Sequence, residues 1–119
     1  HWIYDPATRE VLLSAEAATL LGLPQLTMSP TDALQLVPPA DRRRFLQSLA
    51  LARFRDVFAE CIVRLHSEGQ VRTIQIRVQR TGGDGGNLAM FGVVSDITDK
   101  LMAEQRLVAA LEEARSAAA

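Results

Sequence analysis

One cysteine, Cys61, and two histidines, His1 and His66, are the side chains best suited to nucleophilic or metal chemistry. They are too few and too scattered for a zinc site, which needs about four ligands at close spacing. Cys61 stands in the alternating run Val57, Ala59, Cys61, Val63, Leu65, where a lone cysteine behaves as a small core residue. His66 closes the polar side of that run with Glu60 and Arg64, so it reads as a solvated residue. No Ser/His/Asp constellation and no pair of carboxylates can be assembled from the spacing. The glycine-rich stretch from Gly82 to Gly86 lacks a following Lys-Ser/Thr and lies between two alternating runs, not before a helix. It offers phosphate no helix N-terminus and is expected to be a hairpin loop through Asn87. Arg64, Arg72, Arg77 and Arg80 form either a basic patch for an acidic partner or a solvated outer sheet face, and the second is the expectation. These residues describe a domain without a catalytic site.

The elements that must carry these side chains follow from period and punctuation. Trp2 to Asp5 and Glu10 to Ser14 read as two short strands joined by the turn Asp5-Pro6-Ala7-Thr8. Ser14 can cap a short helix carrying Ala17, Ala18, Leu20 and Leu21, stopped by Gly22 and Pro24. Ser29-Pro30-Thr31-Asp32 starts a second helix, which Pro38-Pro39 must end. Pro39 opens a longer helix to about Ala52, with Phe45, Leu46, Leu49 and Ala52 on one face and Arg42 to Arg44 mostly opposite. From Val57 the period becomes two. After a turn at Glu68-Gly69, Ile74, Ile76 and Val78 alternate with Thr73, Gln75, Arg77 and Gln79. Leu88 to Ile97 is apolar on both faces, as expected of a central strand covered on both sides. Thr98 caps a final helix. The order β-β-α-α-α-β-β-β-α predicts an α+β fold: a five-stranded antiparallel sheet with short helices on one face and a C-terminal amphipathic helix.

Composition limits the partners. The chain of 119 residues suits one domain, and 13 basic against 14 acidic residues leave a formal charge of -1. That balance lacks the electrostatic footprint of a nucleic-acid binder. No apolar run approaches the ~18 residues of a membrane span, so no membrane contact is expected. A single cysteine excludes an intrachain disulfide and points to a reducing, cytoplasmic compartment. Without an initiator methionine at His1, the chain reads as a segment of a longer protein.

Four stretches follow one another in an informative order: Trp2-Ile3-Tyr4-Asp5-Pro6; Ser14 through Gly22-Leu23-Pro24; Phe58-x-Glu60 followed by Gly69 and Arg72; and Gly92-Val93-Val94-Ser95-Asp96-Ile97-Thr98-Asp99. Together they resemble a PAS domain with its C-terminal PAC portion, of the variety common in bacterial sensors. The resemblance covers residues 1 to 100. It departs at Ile62, where an arginine is common, in a spacing one residue shorter after Glu60, and at Val37-Pro38-Pro39-Ala40-Asp41-Arg42. There the family often has V-H-P-D-D-R, so no role of that histidine or first aspartate carries over to Pro38 or Ala40.

The resemblance implies a PAS fold over 1–97, a signalling helix over 98–119, and a pocket between sheet and helices. The inward candidates for that pocket are Cys61, Val63, Ile74, Ile76 and Phe91, which either line a small-molecule site or simply fill the core. A flavin photosensor of the related LOV type needs N-C-R-F-L-Q. Arg44-Phe45-Leu46-Gln47 repeats its last four letters, but Arg43 precedes them in place of cysteine. Haem-binding members bring an axial histidine from the long helix, and residues 39 to 52 contain none. No cofactor is expected, and flavin or haem stands as the alternative.

Asp96, Ile97 and Thr98 are implied to pass a signal from sheet to helix. Leu101, Leu107, Val108 and Leu111 lie on one broad helix face, with Leu107, Leu111, Ala114 and Ala118 at coiled-coil spacing. Either a second copy covers that stripe, giving a homodimer, or the helix folds back over its own sheet. The closing run Leu111 to Ala119 resembles linkers that precede histidine kinase or diguanylate cyclase domains. The expectation is a regulatory, non-enzymatic module of a signal-transduction protein, most naturally a sensor histidine kinase.

Overall fold

The computed structural model describes residues 1–55, 57–67, 69–82 and 88–118. Trp2–Asp5 (β1) pairs antiparallel with Glu10–Leu13 (β2), from Trp2 opposite Leu13 to Asp5 opposite Glu10. In the intervening turn Asp5 Oδ1 accepts the Ala7 N–H at 2.9 Å, and Arg9 takes a left-handed φ of 57°. Ala15–Leu21 (α1) is capped by Ser14, whose Oγ accepts the Ala17 N–H at 3.1 Å, and ends at Gly22 with φ 71°. Pro30–Leu36 (α2) is capped in the same way by Ser29, from Asp32 N–H at 3.1 Å. Between these helices Thr27–Met28 (β3) adds a strand to the edge of β2.

Pro39–Arg55 (α3) leads into Ala59–Ser67 (β4), Gln70–Gly82 (β5), Leu88–Asp96 (β6) and Thr98–Ala118 (α4). The sheet has six strands in the order β3-β2-β1-β6-β5-β4. All its pairings are antiparallel. The fold is α+β as expected. The sixth strand, β3, is two residues long and so shows no alternation in the sequence. The first and last thirds of the chain meet at the centre, where Trp2 stands opposite Gly92.

Helices α1, α2 and α3 pack on one face of the sheet. One buried cluster gathers around Trp2, Ala18, Ala52 and Val78, and a second around Val37, Cys61, Val63 and Ile74. Ile74 is 0% exposed, a burial worth about 1.5–3 kcal/mol for a side chain of its size.

Several expectations shift at this level. Strand β4 begins at Ala59, which leaves Val57 exposed outside it. On α3, Phe45, Leu49 and Ala52 turn toward the sheet, but Leu46 stays 48% exposed. Ser48 reaches the strand instead, its Oγ donating to the Glu60 carbonyl at 3.1 Å. Strand β6 is central, yet its outer face is uncovered: Phe91 and Val93 are exposed beside Ile3. Gly69 turns β4 into β5 at φ 76°, while its expected partner Glu68 lies outside the described residues. Gly82 pairs with Leu88, and the loop expected at 83–87 likewise lies outside them.

Candidate functional site

The inner sheet face and the three short helices enclose a cavity of about 290 Å³, partly open to solvent. Val63 of β4, Ile74 and Ile76 of β5, and Met90 and Val94 of β6 form its floor. Phe45 and Leu49 of α3 lie across from them, and Trp2 and Tyr4 of β1 close one side. Its exposed lining residues, Pro30, Leu36 and Arg53, mark where it meets solvent. A sealed, dry void of this size would cost about 7 kcal/mol at ~24 cal/mol per Å³, comparable to a domain's whole net stability.

Of the expected pocket residues, Val63, Ile74 and Ile76 line this cavity. Cys61 does not: it is buried beside Val63 and Ile74 in the second core cluster, outside the cavity wall. Burial pushes its thiol upward from the ordinary value of 9.0, the opposite of an activated nucleophile. Phe91 faces the other way and is 40% exposed on the outer sheet surface. With both faces of β6 apolar, alternation alone assigns no side. Pairing decides it, because Gly92 sits opposite buried Val78 and Trp2, which sends Phe91 outward.

Gly92 makes the approach of Trp2 possible. A Cβ at Gly92 would lie 1.8 Å from the Arg77 carbonyl oxygen and 2.7 Å from the indole Nε1. Trp2 is 9% exposed and its Nε1 is buried without a hydrogen-bond partner.

Asp41 ties α3 to the sheet, a role that no local sequence pattern marks. It is 7% exposed, its Oδ2 accepts the Arg64 backbone N–H at 3.0 Å, and its Oδ1 meets the Arg44 guanidinium. The Arg64 N–H, opposed by desolvation and aided by Arg44, holds its carboxyl below the ordinary 3.8. An acid in the first helical turn was the only local signal, and it reads equally well as a helix-dipole partner.

At the other end of β6, Asp96 Oδ1 accepts from the Thr98 N–H at 2.9 Å and from its hydroxyl at 2.5 Å. Thr98 Oγ1 in turn accepts the Thr73 N–H at 2.8 Å, and the Ile97 N–H donates to the Thr73 carbonyl at 2.9 Å. These bonds, Thr98's first and Arg72's charge at 3.9 Å last, keep the Asp96 carboxyl below its ordinary value. Thr98 therefore does not cap α4 through its side chain; it ties the helix start to β5. The Ile97 carbonyl accepts the Leu101 N–H at 2.8 Å and opens the helix.

Beyond that junction α4 stands clear of the body. Leu101 is half-buried, while residues 102 to 118 are exposed, including Leu107 (61%), Val108 and Leu111. The helix does not fold back over the sheet. The strand arginines do not form one patch either. Arg77 pairs with Glu60 at 3.4 Å, Arg72 with Asp96, and Arg80 donates to the Arg53 carbonyl at 3.0 Å. His66 is exposed near the end of β4. Among the described residues no cluster of Cys, His, Asp and Glu could hold a metal, and no helix is long and apolar enough to cross a membrane.

No protein-family model and no curated protein matches the sequence. Solved structures do resemble it. A sensory box histidine kinase/response regulator from Burkholderia thailandensis E264 matches with TM-score 0.72 and 25% identity over 97% of this chain and 88% of that one. The N-terminal domain of a diguanylate cyclase with a PAS/PAC sensor from Marinobacter aquaeolei matches with TM-score 0.67 and 24% identity, over 83% and 94%. An RNA-binding light-oxygen-voltage receptor shares the fold, with TM-score 0.68 and 19% identity over 94% of this chain and 34% of that one. The strand order and these likenesses show that the chain has the fold of the PAS sensor domains it resembles.

Proposed function

We propose that this chain is the sensory and dimerisation module of a cytoplasmic signal-transduction protein, with a histidine kinase as the output domain. The observation that carries this reading is the Asp96–Thr98–Thr73 junction, which couples the sheet to a helix with an unpartnered apolar stripe. A ligand in the cavity changes the inner sheet face. The junction passes the change to α4, and the balance of two helix arrangements sets the output. The module itself is regulatory and non-enzymatic. The kinase assignment rests on the linker-like run Leu111 to Ala119 and on the histidine kinase among the similar structures. A diguanylate cyclase/phosphodiesterase output is the second reading, favoured by the similar cyclase domain. Autophosphorylation of the longer chain from ATP supports the first, and formation of a cyclic dinucleotide from GTP replaces it with the second.

Cutting the junction should separate sensing from output. Asp96→Ala removes the acceptor of the Thr98 N–H and hydroxyl, and Thr98→Ala removes the acceptor of the Thr73 N–H, each at about 1 kcal/mol in stability. Amide exchange at Thr73 should rise by roughly fivefold in Thr98→Ala, the equivalent of that energy. In the longer protein the output should lose its dependence on the cue while the domain stays folded. Retained cue dependence in both variants rejects the mechanism.

The dimer is a second expectation. Leu107→Asp with Leu111→Asp places charge on the stripe and should convert a dimer to a monomer by light scattering, with the fold unchanged. A wild-type chain that is monomeric at micromolar concentration overturns dimerisation through α4.

The module works without flavin or haem. Among the described residues the cavity wall contains no cysteine to form a flavin adduct and no histidine to ligate haem iron. Purified protein supplemented with both should show no visible absorption band, and a stoichiometric band would reverse this assignment.

A further inference from the structure

Resting on the reading of the cavity as a ligand site, we propose that its ligand is a small monocarboxylate with an apolar body, held at the rim by Arg53. The polar groups of the wall are few and of one kind. Arg53 and Trp2 are lining residues whose side-chain polar groups only donate, and Tyr4 carries a hydroxyl that can also accept. Among the described residues the wall holds no Asp, Glu, His, Asn or Gln. It therefore cannot neutralise a cation, and it offers a polyol or sugar almost nothing to donate to. What it fits is an apolar body with acceptors at one end.

Arg53 sits where such an end would emerge, being exposed yet part of the cavity lining. Its guanidinium carbon lies 5.1 Å from the Phe54 ring centroid. A cation–π contact does not consume the N–H donors of the guanidinium, the fork that grips carboxylates bidentately. A cavity of about 290 Å³ that opens to solvent suits an apolar body of medium-chain length with its polar end at the mouth.

Calorimetric titration of this 119-residue chain tests the proposal with octanoate, octan-1-ol and octylammonium as probes. Octanoate should bind about tenfold more tightly than octanol, and octylammonium should give no measurable heat. Arg53→Gln should weaken octanoate about tenfold and leave octanol unchanged, with Arg53→Lys between the two. Equal affinity for octanoate and octanol, or an Arg53→Gln variant with undiminished octanoate binding, overturns the carboxylate while the cavity remains a ligand site. Silence from both octanoate and octanol overturns the ligand-site reading as well.

Discussion

Gly92→Ala should leave the chain without a stable fold. Overpacking a core costs typically 1–3 kcal/mol because side chains shift aside. Here the added methyl would meet backbone: it lies 1.8 Å from the Arg77 carbonyl oxygen on the paired strand, and 2.7 Å from an indole that is itself buried. Relief requires β5 to part from β6 and Trp2 to shift within the core, which disrupts the central strands. The expected loss is at least about 4 kcal/mol, a large share of a typical domain's stability. Urea denaturation followed by circular dichroism reads it directly. Gly69→Ala is the matched control, since it has open space but a φ of 76°. It should cost only about 1 kcal/mol, from backbone strain alone. Similar midpoints for the two variants would mean that the Trp2–Gly92 contact does not organise the sheet.

Asp41→Ala should cost about 2 kcal/mol, because it removes a charged acceptor and leaves the Arg64 N–H of a half-buried bond without its partner. Asp41→Asn should recover most of that loss: its amide oxygen can accept the same N–H. The ion pair with Arg44 contributes little, because the arginine side chain is 59% exposed. The two variants also differ from wild type in acid. The Asp41 carboxyl titrates below its unfolded value of 3.8, so its contribution is full above that pH. It is lost as pH falls through the folded value. Asp96 shifts in the same direction and adds to the same acid limb. Stability measured by urea melts should therefore fall below about pH 4 in the wild type, and less steeply in both Asp41 variants. An equally steep acid limb in Asp41→Ala would assign the acid sensitivity elsewhere.

The parts of this domain legible in the sequence are those governed by neighbouring residues. Ser14, Gly22 and Ser29 mark helix ends because caps act within three residues. The period-two runs through Cys61 and Ile76 name the buried side of β4 and β5, since one side of each is polar. Asp96-Ile97-Thr98 was readable as a junction from its resemblance to a family motif. Its chemistry was not: Thr98 was expected to cap its own helix, and its hydroxyl instead reaches Thr73, 25 positions away.

The features that define the site depend on contacts distant in the chain. Asp41 and Arg64 are 23 residues apart, and no local pattern links them. Phe91 was expected inside because both faces of β6 are apolar; only the pairing of Gly92 with Trp2 and Val78 gave the strand its sides. The cavity belongs to no single segment, being the volume left over where every strand and three helices fail to fill the space between them.

The sequence by itself determined the four helices, the five longer strands in their order, and the apolar stripe of the last helix, because each rests on local geometry or on side-chain type. Tertiary structure alone decided which face of β6 is inside, that Cys61 stays out of the cavity, and that Arg53 stands at its mouth. It also set α4 free of the sheet. Those outcomes follow from how strands register and helices cross, which depends on packing between residues far apart in the chain.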